Sequence, residues 1–298
     1  MQKIFTAAIA RSGTVSLAVL FRQFGHGCVV EHEPPRLLLH QLGENPFFLR
    51  HPGLRPRGRL AELGRGLQRR YIATDEMLGR GRALEWYDTG AHEELERLAH
   101  WRLRRIERFA QRGHLHYIES SQFFLRTYCY EVHRLIPDLG VIKLLRDPLE
   151  TARSSANRKK RVFHSSLPPD RPSNVFRLTD WRDLTDFQLY AHLWIETELR
   201  WEAFLEATGL ERHVVIETRH LSEPQRVAAV FAKFGIEHKP IVGLRATNTN
   251  TEARLPATAV SMSDTEAFLR VVDRLPANLR DRIPQLERFV PALVGTAR

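Results

Sequence analysis

A six-residue segment near the N-terminus carries the kinds of group that bind phosphate. Residues 11–16 follow a short apolar run at residues 3–9 and precede apolar residues at helical spacing that end at Gly25. This order predicts a strand, a tight loop and a helix. A loop in that position presents backbone N–H groups and the N-terminus of a helix to an anion.

The loop consists of Arg11, Ser12, Gly13, Thr14, Val15 and Ser16, and most of these residue types suit the binding of an anion. Arg11 supplies charge, Gly13 lets the main chain approach a ligand closely, and the hydroxyl groups donate hydrogen bonds. The pattern Gly-x-x-x-x-Gly-Lys-Ser/Thr is absent, so this is not a Walker A loop. The alternative is an ordinary strand-to-helix turn in which Thr14 caps the helix.

A second segment with phosphate-binding chemistry begins at Arg146. It follows the continuous apolar run at residues 141–145, which is typical of a buried parallel strand, and Pro148 then suits the first turn of a helix. Arg146 and Ser154 are two helical turns apart and can both face the crevice at the carboxyl ends of the strands. The alternative for Arg146 is a surface ion pair with Asp147.

In these two segments the chain resembles the sulfotransferases that use 3′-phosphoadenosine-5′-phosphosulfate (PAPS). Those enzymes have a similar loop for the 5′-phosphosulfate, and a later strand ending in Arg-(Asn/Asp)-Pro with a Ser eight residues beyond the Arg. The resemblance implies that residues 11–16 bind the 5′-phosphosulfate and that Arg146 and Ser154 bind the 3′-phosphate. It also implies a P-loop-NTPase-like α/β fold, three layers (α/β/α) around a parallel sheet, with no metal. Residues 214–236 also resemble a segment of this family, and the role of that segment is mainly structural.

The reaction implied by this resemblance needs a base for the acceptor, and the chain departs from the family at the usual position. The family often has a Lys and a His just after the third strand, where this chain has Ser120 and Gln122. The family's other position for a base is a Glu near the end of the second strand. Glu33 is therefore our first choice and His32 the second, with salt bridges to nearby Arg as the alternative for Glu33.

Three further charged residues are given roles. Arg11 is assigned to catalysis as well as to donor binding, because sulfuryl transfer requires neutralisation of charge on the phosphosulfate oxygens. Glu119, at the end of a predicted strand, is expected to orient Ser121 or a loop amide. For Glu31, as for Glu33, a salt bridge with a nearby arginine is the alternative to a role in the site.

The order of elements predicts one α/β domain that covers residues 1–298. Strands separated by helices indicate a parallel sheet of four or five strands with helices on both faces. We expect a helical and loop insertion around residues 46–112, with one long helix from residue 85 to 112 and a possible substrate-side lid over 46–81. Residues 122–135 are predicted to be helical, and a C-terminal extension follows residue 240.

Composition narrows the class of protein without deciding it. The formal net charge is +10 and the sequence pI is about 10.1, which favours anionic partners. The cysteines are Cys28 and Cys129, so neither a disulfide framework nor a Cys-based zinc site is expected. No leader pattern and no membrane-spanning run is visible, which predicts a cytoplasmic protein without membrane contact.

Three other functions are alternatives to sulfuryl transfer to a small-molecule or glycan acceptor. A P-loop kinase or nucleotide hydrolase would need the missing loop Lys and an Asp for magnesium. A protein that binds nucleic acid or another polyanion has only the net charge in its favour, because no binding module is recognisable. A protein that binds the donor without catalysis remains an alternative because Ser120 replaces the Lys.

Overall fold

The computed structural model describes residues 1–32, 82–157, 168–242 and 258–290. The expected lid at residues 46–81 lies outside these ranges.

A parallel five-stranded sheet forms the centre of the molecule, with the strand order β2-β3-β1-β4-β5. Every neighbouring pair runs parallel, so the carboxyl ends of all five strands lie at one edge of the sheet. Open α/β sheets bind their ligands at that edge. The strands are β1 Gln2–Ala7, β2 Cys28–His32, β3 His116–Ser120, β4 Gly140–Leu145 and β5 His213–Glu217.

Helices cover both faces of this sheet. In the described ranges they are α1 Thr14–Phe24, α2 Arg82–Thr89, α3 His92–Ala110, α4 Cys129–Leu135, α5 Pro148–Ala156, α6 Asp186–Thr208, α7 Pro224–Lys233, α8 Met262–Val272, α9 Ala277–Arg280 and α10 Gln285–Phe289.

Successive strand residues divide between two hydrophobic cores. Ile4 packs with residues of α1 and α7 on one face, whereas Phe5 packs with residues of α3, α4 and α6 on the other. Tyr117 and Ile118 divide in the same way, because side chains alternate across a strand. The predicted three-layer α/β/α arrangement with a parallel sheet is therefore confirmed.

The C-terminal extension packs against α5 and α6. Phe268 and Val271 of α8 share a third core with Ala152 of α5 and the fully buried Trp194 of α6. Helix α8 begins with a capping box, in which Ser261 and Asp264 exchange side-chain and backbone hydrogen bonds. This Ser-x-x-Asp pattern is readable in the sequence and predicts a helix start that our sequence analysis did not identify.

The single helix predicted for residues 85–112 is wrong, because the chain forms α2 and α3 there. Gly90 separates them with a backbone φ of 69°, a left-handed conformation that ends a helix. The N–H of Ala91 then turns back to the carbonyl oxygen of Trp86 at 2.8 Å. A glycine that closes a helix in this way costs little strain, whereas other residues rarely adopt that conformation.

The helix predicted for residues 122–135 is also only partly correct. A 3₁₀ turn covers Phe124–Arg126 and α4 begins only at Cys129. Arg200 of α6 points at the gap, and its Nη1 donates to the carbonyl oxygen of Arg126 at 3.0 Å. That carbonyl would accept from an N–H of the next turn in a continuous helix, so the long-range contact stabilises the break.

In the described ranges, no helix combines the length and the apolar character needed to cross a membrane.

Candidate functional site

The N-terminus of α1 points its unpaired N–H groups at the loop after β1. Gly13 is the residue before the helix, no side chain caps it, and the first turn contains no acidic residue. The first N–H groups of a helix have no acceptor within the helix, and the helix dipole adds positive potential there. An anion at this end therefore meets oriented donors and no negative side chain of the helix.

Ser12 stabilises the turn of this loop from inside. Its hydroxyl donates to the carbonyl oxygen of Ile9 at 2.6 Å, and its backbone N–H lies 3.3 Å from the same oxygen. The residue is fully buried. Both donors of Ser12 thus serve the loop conformation, whereas Val15 is exposed and Ser16 is half-buried at the start of the helix.

Arg11 joins the two predicted phosphate-binding segments. Its Nε donates to the Oγ of Ser154 at 3.2 Å, and its carbonyl oxygen accepts from the Nη1 of Arg146 at 2.8 Å. Arg11 is also the non-glycine residue with positive φ in the described ranges, at 71°. Non-glycine residues in that conformation carry a strain that tends to occur at functional sites. The structure therefore brings Arg11, Arg146 and Ser154 together at one corner of the sheet edge.

Arg146 is held at the end of β4 from several directions. Its Nε and Nη2 lie 3.2 and 3.1 Å from one oxygen of Glu150, one turn along α5. Its carbonyl oxygen accepts from the indole N–H of the buried Trp194 at 2.9 Å. Asp147, the alternative partner considered from the sequence, instead accepts from the N–H of Glu150 and caps α5.

Ser120 ends β3 at the position where the resemblance to the PAPS-dependent sulfotransferases implies a lysine, and its side chain is a buried hydroxyl. Ser120 is fully buried, and its Oγ donates to the carbonyl oxygen of Thr14 in the first turn of α1. A neutral hydroxyl bound to the main chain supplies no charge to a ligand. Ser120 therefore anchors α1, the helix after the predicted phosphate-binding loop, to β3.

His32, the second choice for the base, lies at the end of β2 beside Ser120. The Nδ1 of His32 is 2.8 Å from the carbonyl oxygen of Ser120. A carbonyl oxygen only accepts, so Nδ1 carries the proton and Nε2 is the basic nitrogen of the neutral ring. Glu33, the first choice, lies outside the described residues.

The two acidic residues that precede these positions in β2 and β3 are engaged in ion pairs. Glu31 pairs with Arg105, which is the salt bridge considered as the alternative for this residue, and it also accepts from Tyr117 at 3.1 Å. Glu119 is fully buried, and it pairs with Arg102 rather than orienting Ser121. Burial raises the pKa of Glu119 above its ordinary value, although the positive charge of Arg102 opposes this effect.

A cavity that is partly open to solvent lies beside Ala8 on the α6 side of the sheet edge. Gln122 and His192 of α6 both line this cavity. Gln122 stands where the resemblance to the PAPS-dependent sulfotransferases implies a histidine. The Nε2 of His192 lies 2.7 Å from the carbonyl oxygen of Phe176, so Nε2 carries the proton. Burial lowers the pKa of His192 below its ordinary 6.5, so the ring is neutral at pH 7.

The sequence patterns did not identify Trp194, Thr218 and His192 as residues of this region. Trp194 and Thr218 touch the main chain of the predicted phosphate-binding segments, and His192 lines the cavity. All three lie far from those segments in the sequence. No local pattern marks such contacts. Among the described residues, no group of three or more His, Cys, Asp or Glu side chains could hold a metal ion.

Comparison with known proteins gives matches at the level of structure. No protein-family model matches the sequence, and no curated protein matches it. The sulfotransferase domain from the curacin biosynthetic pathway aligns with a TM-score of 0.50 and 15% identity, over 98% of this chain and 97% of that one.

Two further solved structures are similar at lower scores. They are the sulfotransferase domain of the Synechococcus PCC 7002 olefin synthase and a sulfotransferase from Alicyclobacillus acidocaldarius. The first has a TM-score of 0.43 and 16% identity, and covers 92% of this chain and 95% of that one. The second has 0.45 and 19%, with 94% and 96% covered. The alignment with the curacin domain, together with the parallel sheet and its two helical layers, shows that this chain has the sulfotransferase fold.

Proposed function

We propose that this protein transfers a sulfuryl group from PAPS to a hydroxyl or amine of an acceptor, which is a small molecule or a glycan. The observation that carries the proposal is the convergence of Arg11, Arg146 and Ser154 beside the uncapped N-terminus of α1. A nucleotide with phosphate at both the 5′ and the 3′ position needs two anion sites at a fixed separation. Arginine binds phosphate through two parallel hydrogen bonds, which suits Arg146 to the 3′-phosphate.

The phosphate loop takes the 5′-phosphosulfate in this proposal. The N–H groups at the start of α1 face the phosphosulfate oxygens, and Arg11 neutralises charge that develops on the leaving phosphate oxygen. Thr14 and Ser16 lie in the same turn of the helix and supply hydroxyl donors. Donors that are already oriented need no rearrangement during the reaction.

Transfer itself moves one group and one proton. The acceptor oxygen or nitrogen forms a bond to sulfur while the bond from sulfur to the 5′-phosphate oxygen breaks, which releases 3′-phosphoadenosine 5′-phosphate (PAP). The proton of the acceptor passes to a base, for which Glu33 and His32 are the proposed residues. In His32 the receiving atom is Nε2, because Nδ1 donates to Ser120.

The cavity beside Ala8 is the proposed position of the acceptor. Ala8, which lines this cavity, is three residues before Arg11 in the chain. Within the cavity, Glu196 and Arg200 bind each other, and Glu196 also accepts from the N–H groups of Val175 and Phe176. These two charges therefore shape the wall, and the polar edges of Gln122 and His192 are proposed to contact the acceptor.

The donor proposal is tested by thermal unfolding in the presence of PAP, ATP or AMP. A ligand at one hundred times its Kd adds about 2.7 kcal/mol to the free energy of unfolding, which is readily seen as a higher Tm. We expect PAP to raise the Tm most and AMP much less. Stabilisation by ATP equal to that by PAP would favour a general nucleotide enzyme. Labelled PAPS and a set of hydroxylated and amino compounds then identify the acceptor.

A further inference from the structure

Thr218 is the first residue after β5, and its hydroxyl reaches both phosphate-binding segments. Its Oγ1 lies 2.7 Å from the carbonyl oxygen of Ser12 and 3.2 Å from that of Leu145. Ser12 precedes Gly13 of the phosphate loop, and Leu145 precedes Arg146. One hydroxyl group thus contacts the main chain of both segments, more closely on the side of the loop.

The strand register explains why this residue can do so. Leu145 pairs with Glu217 in neighbouring parallel strands, so Arg146 and Thr218 are the next residues at the same edge. The phosphate loop folds back over this edge after β1, which is the strand on the other side of β4. Thr218 therefore lies between the end of β4 and the loop.

The methyl group of Thr218 also determines the space available in the loop. A Cβ atom added to Gly13 would lie 2.9 Å from the Cγ2 of Thr218 and 3.1 Å from the Cδ1 of Leu221. Real Cβ atoms essentially never come within 3.0 Å of another atom, so the approach to Thr218 would force a shift, whereas the approach to Leu221 is only tight. The loop main chain packs directly on Thr218, so the methyl group limits the space beside Gly13 and the hydroxyl group bonds the loop.

We propose that Thr218 is a positioning residue that sets the separation between the 5′ and 3′ anion sites. This inference rests on the proposed function, because the separation matters only if a nucleotide with both phosphates must occupy the two sites at once. The shared hydroxyl fixes the carbonyl groups of Ser12 and Leu145 relative to each other. Arg11 and Arg146, each the neighbour of one of these residues, are thereby held at a defined separation.

The test compares Thr218→Val, which keeps the shape and removes the hydroxyl, with Thr218→Ser, which keeps the hydroxyl. Thr208→Val is a matched control, because its hydroxyl donates to a carbonyl of its own helix at 2.6 Å. Binding of PAP and of AMP is measured by calorimetry. Loss of one partly buried hydrogen bond is expected to weaken PAP binding about tenfold in Thr218→Val, with AMP binding changed less than about twofold. Thr218→Ser should stay near the wild type.

The ratio of the two affinities separates positioning from general stability. A purely structural role would lower the Tm of Thr218→Val and leave the PAP to AMP ratio unchanged, as in Thr208→Val. Either that result, or wild-type PAP binding by Thr218→Val, overturns the inference. Loss of PAP binding in Thr218→Ser as large as in Thr218→Val also overturns it.

Amide hydrogen exchange in the ligand-free protein keeps the inference testable if the wild type binds neither nucleotide. That outcome contradicts the proposed function alone. In Thr218→Val we expect exchange at residues 11–16 and 146–150 to rise about tenfold, with Thr218→Ser unchanged and β2 unaffected. Equal exchange in all three proteins means that Thr218 does not hold the two segments together.

Discussion

The Nε of Arg11 lies 3.2 Å from the Oγ of Ser154, although 143 residues separate them in the chain. One residue belongs to the loop after β1 and the other to the helix after β4. The contact exists because these strands are neighbours in the sheet and end at the same edge. It places the proposed 5′ and 3′ anion sites side by side, and the following predictions test what each part contributes.

Replacing Arg146 with alanine is expected to weaken PAP binding by about 1.5 to 3 kcal/mol, the range for charge-assisted hydrogen bonds. AMP lacks the 3′-phosphate, so its binding should change much less. Calorimetric titration of both nucleotides measures the difference. Arg226→Ala, which alters an exposed arginine on α7, controls for the loss of one positive charge. Equal losses for PAP and AMP would show that Arg146 does not recognise the 3′-phosphate.

Replacing Glu150 with glutamine is expected to strengthen PAP binding about two- to tenfold, because an exposed carboxylate then no longer competes for Arg146. Glu150 contacts the Nε and Nη2 of Arg146, whereas Nη1 keeps its bond to Arg11. The gain should shrink at high salt, since exposed charges are screened. Unchanged or weaker PAP binding at low salt would mean that Glu150 does not compete with the 3′-phosphate.

Replacing Glu33 with glutamine keeps the side-chain volume and is expected to reduce turnover by about two to four orders of magnitude if Glu33 is the base. Donor affinity should stay unchanged, because the base contacts the acceptor. Steady-state rates and PAP binding are measured on the same preparation. If Glu33→Gln stays active and His32→Ala loses turnover with donor affinity intact, the base is His32 and Glu33 is a structural residue.

Replacing His192 with glutamine is expected to flatten the dependence of stability on pH. Burial lowers the pKa of His192 in the folded protein below 6.5, so the unfolded chain binds more protons as the pH falls. The free energy of unfolding therefore decreases as the pH drops below about 6.5, by the linkage between proton binding and folding. A glutamine does not titrate, and its amide N–H can still donate to Phe176.

Urea unfolding at pH 8 and pH 5.5 measures this effect for both proteins. The charged neighbours Glu196 and Arg200 are present in each, so the comparison isolates the imidazole. We expect the wild type to lose more stability between these pH values than His192→Gln. Equal losses would show that the imidazole is not held neutral in the fold.

Replacing Gly13 with alanine should destabilise the protein more than the same change at Gly209. Both glycines have positive φ, 89° and 60°, but no atom lies within 4 Å of a Cβ at Gly209. The conformation costs about 1 kcal/mol at either site, and the contact with Thr218 adds to it at Gly13 alone. Thermal unfolding compares them. Adding Thr218→Ser removes the methyl group and should recover part of the loss, and no recovery would contradict the steric explanation.

Local patterns in the sequence determined several features of this protein. The apolar run, the loop of residues 11–16 and the helical spacing after it predict β1, the turn and α1, because each feature depends on neighbouring residues. The spacing between Arg146, at the end of β4, and Ser154, on the helix that follows, is likewise local. The resemblance carried by these segments predicted the fold, which the parallel sheet and the similarity to the curacin sulfotransferase domain confirm.

The positions where helices begin and end were predicted less well. Gly90 is a helix terminator that can be read from the sequence, yet the apolar spacing on either side concealed the break between α2 and α3. The break before α4 has no local signal of this strength. It is stabilised by Arg200, which comes from a helix far along the chain.

Only the tertiary structure decided which groups share the sheet edge. The roles of Ser120 as an anchor for α1, of Trp194 as a donor to Arg146 and of Thr218 as the link between two segments depend on contacts between distant parts of the chain. Such contacts follow from strand order and register, which residue spacing does not encode locally. A sequence pattern specifies the chemistry that a residue can perform, whereas packing specifies which partner it meets.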